Sequence, residues 1–158
     1  MSVPDFPAIS QAITDAVLGN TDQALDRLRP MLAAGPDSAY ALMCVLADVF
    51  LYEPGHPRGR RYALTVTSTD GPEDPEVLPP PHRFALRFTT ARGNWDLDTA
   101  NALFWAIARP PHGDGALLLD QALQVLLEMA TAAAMTAVGE ALARRRDQPP
   151  ASPVGETS

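Results

Sequence analysis

The side chains of this chain that could do chemistry are three histidines, two pairs of acids and a group of arginines. His56, His82 and His112 each stand beside or near a proline in a stretch typical of loops. Three imidazoles could bind a metal if these loops converged. However, no two histidines have the i,i+4 spacing of a helical ligand pair, and the chain contains neither HExxH nor CxxC. We therefore predict no metal site and no cofactor.

The acid pairs, Glu73/Asp74 and Asp96/Asp98, do not indicate catalysis. General acid–base chemistry needs a carboxylate whose pKa is shifted by an apolar pocket. The first pair lies in a polar, proline-rich stretch, and Asp96 is better explained as the N-cap of a helix. The GxSxG, Walker and GxGxxG motifs are absent. We expect a non-enzymatic protein.

Arginines between positions 58 and 87 form the best candidate binding surface. A guanidinium cluster can bind phosphate or carboxylate through paired hydrogen bonds. The candidate anion-binding residues are Arg61, Arg83 and Arg87. The alternative is a solvated face on which these arginines pair with the acidic turn at 70–76.

Composition limits the choice of partner and compartment. The net charge of −7 argues against nucleic acid, because binding to phosphates requires a basic surface. Cys44 is the single cysteine and stands in an apolar run, which indicates a buried, unreactive thiol and excludes an internal disulfide. The first ten residues lack the pattern of a signal peptide, so we expect a cytoplasmic protein. The absence of lysine, with abundant Ala, Pro and Gly, is typical of a GC-rich bacterial genome.

Hydrophobic periodicity predicts helices first and strands afterwards. Apolar residues recur at helical spacing in three segments, which begin at Pro7, Thr21 and Pro36. After the third helix, apolar residues recur at every second position, which is typical of half-buried strands. The alternating residues are Tyr62, Leu64 and Val66 in the first run, and Phe84, Leu86 and Phe88 in the second.

The predicted fold class is therefore α+β and predominantly α-helical. It has three helices, an antiparallel β-hairpin within about 61–90, and then two helices, of which the last is long. Asp96 starts the fourth helix, and Pro110-Pro111 ends it. Residues 1–146 form one domain, and the polar, proline-rich tail 147–158 is expected to be disordered.

Residues 19–51 resemble part of a tetratricopeptide-type helix pair. Gly19-Asn20 match the family's turn, Ala24 and Leu28 match its small and large apolar positions, and Pro36 matches its terminal proline. The resemblance implies helical-hairpin packing and a role in protein–protein recognition. The match stops upstream of the turn, Met31 replaces an alanine, and no second repeat follows.

The long helix, Ala116 to Arg146, is the most apolar element of the chain. It is long enough to span a membrane, but Asp120 and Glu128 would be costly at bilayer depth, so we predict no membrane span. Two apolar stripes run along it, and a surface helix needs only one. Either the other helices wrap it, or part of it forms a homodimer interface. The candidate interface residues are Leu118, Leu119, Leu123, Leu126, Met129 and Ala133.

The function predicted from these features is protein–protein interaction or regulation by a homo-oligomer, most simply a dimer formed through the long helix. The alternative is a small-molecule or anion-binding domain that uses the arginines of the hairpin.

Overall fold

The computed structural model describes residues 3–52, 63–64, 66–68 and 71–148, and these form six α-helices with one very small β-ribbon. A 3-10 turn, Pro75–Val77, follows the ribbon. The ribbon strands are β1 (Val66–Ser68) and β2 (Gly71–Glu73). The helices are α1 (Phe6–Val17), α2 (Thr21–Ala33), α3 (Pro36–Leu51), α4 (Pro80–Gly93), α5 (Leu97–Ala108) and α6 (Gly115–Asp147).

The predicted α+β fold is wrong, because the second predicted strand is a helix. The segment that contains Phe84, Leu86 and Phe88 lies inside α4. The described part of the first run contributes only β1, which pairs antiparallel with β2 a few residues later, in the register Val66↔Glu73. The domain is a helical bundle with a ribbon of two three-residue strands.

Two periodicities compete in the sequence of α4. Phe84 and Phe88 fit a strand of period two, but they are also four residues apart, as on one helix face. The core includes Ala85 and Ala91 as well, which only the helical period explains. Pro79 is the N-cap of α4, and Pro80 and Pro81 lie at its first two helical positions, where a missing N–H costs nothing.

The remaining helices agree with the sequence prediction to within a few residues. Asp96 caps α5 by accepting a 3.1 Å hydrogen bond from the N–H of Thr99, as predicted. Gly19 ends α1 with φ +88°, a conformation that glycine adopts without strain. Trp95 adopts the same left-handed backbone conformation after α4, with φ +59°, which is uncommon for a bulky residue.

The first half of α6 is the centre of the bundle. Its residues Ala122, Leu123, Leu126, Leu127 and Ala130 are fully buried. They pack among α1, α3, α4 and α5. Beyond this helix, the core contains an aromatic cluster in which α3, α4 and α5 meet.

Two polar groups are notable inside this apolar bundle. The carboxylate of Asp15 is nearly buried, and it is held by Arg27 of α2 at 3.0 Å and by Gln11 at 3.1 Å. This pair links α1 to α2. The hydroxyl of Thr89 is fully buried and has no hydrogen-bond partner among the residues that the structure describes, which costs stability.

Candidate interaction surface and cleft

Two of the three predicted anion-binding arginines lie one turn apart on α4 and bind the same carboxylate. The Nη1 atom of Arg83 lies 3.2 Å from Oε2 of Glu76, and Arg87 donates to the other oxygen, Oε1. Arg61 lies outside the described residues. The acidic partner comes from the 70–76 segment, as the alternative hypothesis expected, but the arginines stand on a helix rather than on a strand.

A cleft of about 530 Å³ lies beside this ion pair, where Leu64 and residues 74–76 meet helices α4 and α5. Leu64, Leu86 and Leu103 supply part of its apolar lining. Its polar lining includes three carboxylates, but Arg87 is the one arginine among the lining residues that the structure describes. The cleft is therefore more acidic than the arginine cluster suggested.

The carboxylates of the cleft already serve the fold. Asp74 accepts a 2.9 Å hydrogen bond from the N–H of Glu76, and Glu76 holds the two arginines. Hydrogen bonds from the Thr99 hydroxyl and backbone N–H lower the pKa of Asp96. Each acid has an internal partner, so none resembles a general acid or base.

The histidines of the sequence are not brought into a metal-binding group where they are described. His82 lies on α4 and His112 in the turn before α6, and both are exposed. His56 lies outside the described residues. Within those residues, no three His, Cys, Asp or Glu side chains stand close enough to hold a metal ion.

Cys44 is buried, as predicted, in a small polar cluster between α3 and α4. Burial raises the pKa of its thiol and also that of the neighbouring Tyr40. Next to them, Nη2 of Arg92 lies 2.6 Å from Oδ2 of Asp48. A thiol whose pKa is raised is mostly protonated near neutral pH, so it is a poor nucleophile.

The six candidate interface residues of the long helix do not share one environment. Leu123 and Leu126 are fully buried in the chain's own core and have no surface to offer a partner. Leu118, Leu119, Met129 and Ala133 are half-buried. The first half of the predicted seam therefore packs inside the chain's own core.

The end of α6 leaves the body of the domain. We call residues 132–147 the distal half of α6; at 1.5 Å per residue it is about 24 Å long. Every residue from 138 to 147 is exposed. The distal half carries three large apolar side chains, Met135 (55% exposed), Val138 (55%) and Leu142 (52%). At 100° per residue they fall within about 60° of arc, so they form one row.

Beside this row lies an apolar groove of about 450 Å³, where the ends of α1 and α3 meet α6. Phe6, Val45, Val49 and Tyr52 line one side of it. Ala133, Ala134 and Ala137 of α6 line the other side. Sequence reasoning missed this groove, because it depends on which helices meet. In the sequence, the feature that could have indicated the groove is the run of small residues on α6.

Comparisons with known proteins give no relative for this chain. No protein-family model, curated protein or solved structure matches it. Within the described ranges, α6 is the one helix long and apolar enough to cross a membrane, and 33% of its most apolar window is buried inside the fold. Core helices of soluble proteins meet the same criterion, so this is weak evidence for a membrane.

Proposed function

We propose that this protein is a non-enzymatic interaction or regulatory protein that acts as a homodimer through the distal half of α6. The observation that carries the proposal is the row of Met135, Val138 and Leu142, which is exposed at helical spacing on a helix that leaves the domain. Apolar side chains scattered singly over a surface need no explanation, whereas a regular row on one face is typical of a helix that packs on a partner.

The two halves of α6 differ in burial, and this difference supports the proposal. Its first half buries a complete apolar face within the chain. The same face continues into the distal half as Ala133, Ala137 and Ala141, whose small side chains permit close approach of another helix. A helix that served only as a core element would not need apolar residues where the core has ended.

A further part of the proposal concerns the tetratricopeptide-like segment 19–51. In the fold it forms α2 and α3, with Gly19 in the turn and with Ala24 and Leu28 fully buried. Because that family commonly recognises other proteins, the segment favours a second protein partner in addition to self-association. A cytoplasmic location remains part of the proposal.

A soluble role for α6 is favoured over a membrane span by its contacts. Asp120, in the second turn, binds Nε of Arg29 on α2 at 2.9 Å. Insertion into a bilayer would break this ion pair and pull the buried leucines out of the core. Nucleic acid is disfavoured by the net charge of −7.

The double variant Met135→Glu/Leu142→Glu tests the proposed dimer. We expect the parent protein to have twice the chain mass of 16.9 kDa in light scattering at micromolar concentration. Burying each apolar side chain contributes about 1.5–3 kcal/mol, so the dissociation constant of the variant should rise about a hundredfold or more.

The matched control is Thr136→Glu/Ala143→Glu, which adds the same charge to another face of the same helix, about 120° around the axis from the row. It should remain dimeric, and circular dichroism should show that both variants keep their helices. A parent protein of 16.9 kDa at micromolar concentration would overturn the proposal.

The cleft beside Arg87 supports a second candidate function, the binding of a small molecule or anion. Glu76 occupies the guanidinium groups that an anion would need, so Glu76→Gln should release them.

We expect Glu76→Gln to bind inorganic phosphate about tenfold more tightly than the parent protein, which corresponds to about 1.4 kcal/mol. An NMR titration measures both affinities, and Glu76→Gln/Arg87→Gln should lose the gain. If Glu76→Gln binds phosphate no better than the parent protein, the arginines are structural.

A further inference from the structure

The groove between α1, α3 and α6 is open although its lining is mostly apolar. Tyr52 is 72% exposed at its rim and Phe6 is 56% exposed. Val45 and Val49 lie deeper and are partly buried. Large apolar side chains left in water are costly, and a groove of about 450 Å³ has room for several of them from another segment.

The parts of the chain outside the described residues offer little to fill this groove. Their large apolar side chains are Met1, Tyr62 and Val154, which stand in three separate segments among polar residues and prolines. None of these segments supplies a row of apolar residues at helical spacing. The row of Met135, Val138 and Leu142 has that spacing, and among the described residues about half of each of these side chains stays exposed.

The width of the apolar arc on the distal half points to two contacts rather than one. From Ala137 through Val138 to Met135 the apolar residues span about 160° at 100° per residue. A paired helix covers only the narrow seam of a coiled coil, which is a smaller arc. The rest of the arc requires a second surface of the partner.

Charges at the two surfaces are complementary. The row ends at Leu142, and three arginines follow it, Arg144, Arg145 and Arg146, in the last turn of α6. The groove has a carboxylate in its lining, Asp48, whose side chain is 53% exposed although it binds Arg92. Asp5, which precedes Phe6 and caps α1 by accepting a hydrogen bond from the N–H of Ala8, is also exposed. Basic residues that approach an acidic rim favour one orientation of the bound helix.

We infer that the groove formed by Phe6, Val45, Val49 and Tyr52 is the docking site for the distal half of α6 of a second copy of this chain. Leu142 enters the groove, and the arginines that follow it lie towards the carboxylates. In a twofold dimer each copy contributes one groove and one helix end, so both exposed surfaces are covered together. This inference rests on the proposed homodimer and specifies its geometry.

Disulfide trapping between two differently tagged copies tests the geometry. In a Cys44→Ala background, one copy carries Val49→Cys and the other carries Leu142→Cys, and the two are coexpressed and oxidised. We expect at least about ten times more crosslinked heterodimer than for the control pair Val49→Cys with Thr136→Cys, because a disulfide requires Cα atoms within about 7 Å. If Val49→Cys impairs folding, Tyr52→Cys at the exposed rim replaces it.

The outcomes separate this inference from the proposed function. A dimer in light scattering that gives no 49–142 or 52–142 crosslink overturns the docking site but leaves the homodimer. A dimer that crosslinks mainly from Leu142→Cys to Leu142→Cys also overturns it, because the row then faces another row. A protein with the mass of one chain overturns both.

Discussion

Leu126→Asp is expected to unfold the protein at 25 °C, whereas Val138→Asp, twelve residues along the same helix, is expected to leave it folded. Leu126 is fully buried in the centre of the bundle. Removing a buried leucine costs about 2–5 kcal/mol, and placing a carboxyl group there without a partner adds several more. The sum approaches the whole stability of a typical domain, about 5–15 kcal/mol. Circular dichroism and urea denaturation measure both effects.

Val138→Asp is the matched control, because it places the same side chain on the same helix outside the core. Val138 is 55% exposed, so within one chain the substitution should change the free energy of unfolding by less than about 0.5 kcal/mol. The comparison should be made at low protein concentration, because loss of a dimer also lowers apparent stability. A folded Leu126→Asp would contradict the place of Leu126 in the core, and an unfolded Val138→Asp would contradict the exposure of the distal half of α6.

The sequence predicted the long helix well because its period extends over many turns. Its structural bounds, Gly115–Asp147, differ from the predicted Ala116–Arg146 by one residue at each end. Asp114 accepts hydrogen bonds from the N–H groups of Ala116 and Leu117 and so fixes the start. Similar local signals predicted α1, α3 and α5, in which an aspartate cap or a proline marks the first turn.

The sequence prediction failed at residues 84–88, because the apolar residues of this short run fit both the period of a strand and that of a helix. Three apolar residues, Phe84, Leu86 and Phe88, read as a strand when taken alone. The helix instead buries Phe84 and Phe88 and leaves Leu86 only half-buried. The choice depends on the packing of Phe88 against Tyr40 of α3, which lies far from α4 along the chain. Such tertiary contacts cannot be read from local spacing.

The candidate site was only partly predictable for the same reason. The apolar seam on α6 could be counted from the sequence, but where the core ends along it could not. Leu126 and Ala137 occupy the same seam, yet one is fully buried and the other is exposed. Likewise, the sequence analysis placed Arg83 and Arg87 on one face of a strand, with the acidic 70–76 turn as a possible partner. The single carboxylate that holds both arginines is set by the turn before α4.

Phe88→Ala is expected to lower the free energy of unfolding by about 3–5 kcal/mol, because it empties the centre of the aromatic cluster. Phe88 is fully buried. Its ring stacks on that of Phe84 at 5.1 Å between centroids, and the ring of Tyr40 meets it edge-on at 6.0 Å. Tyr40 in turn contacts Phe104 at 5.1 Å, so the cavity would loosen the junction of α3, α4 and α5. Urea denaturation monitored by circular dichroism measures the loss.

The expected loss is large because of where Phe88 lies in the bundle. In α4 it joins three helices, so its removal should weaken the whole cooperative transition. Val77→Ala is the control, because that side chain is 71% exposed and its loss should change the free energy of unfolding by less than about 0.5 kcal/mol. Equal, small effects of the two substitutions would be inconsistent with Phe88 at the centre of the core.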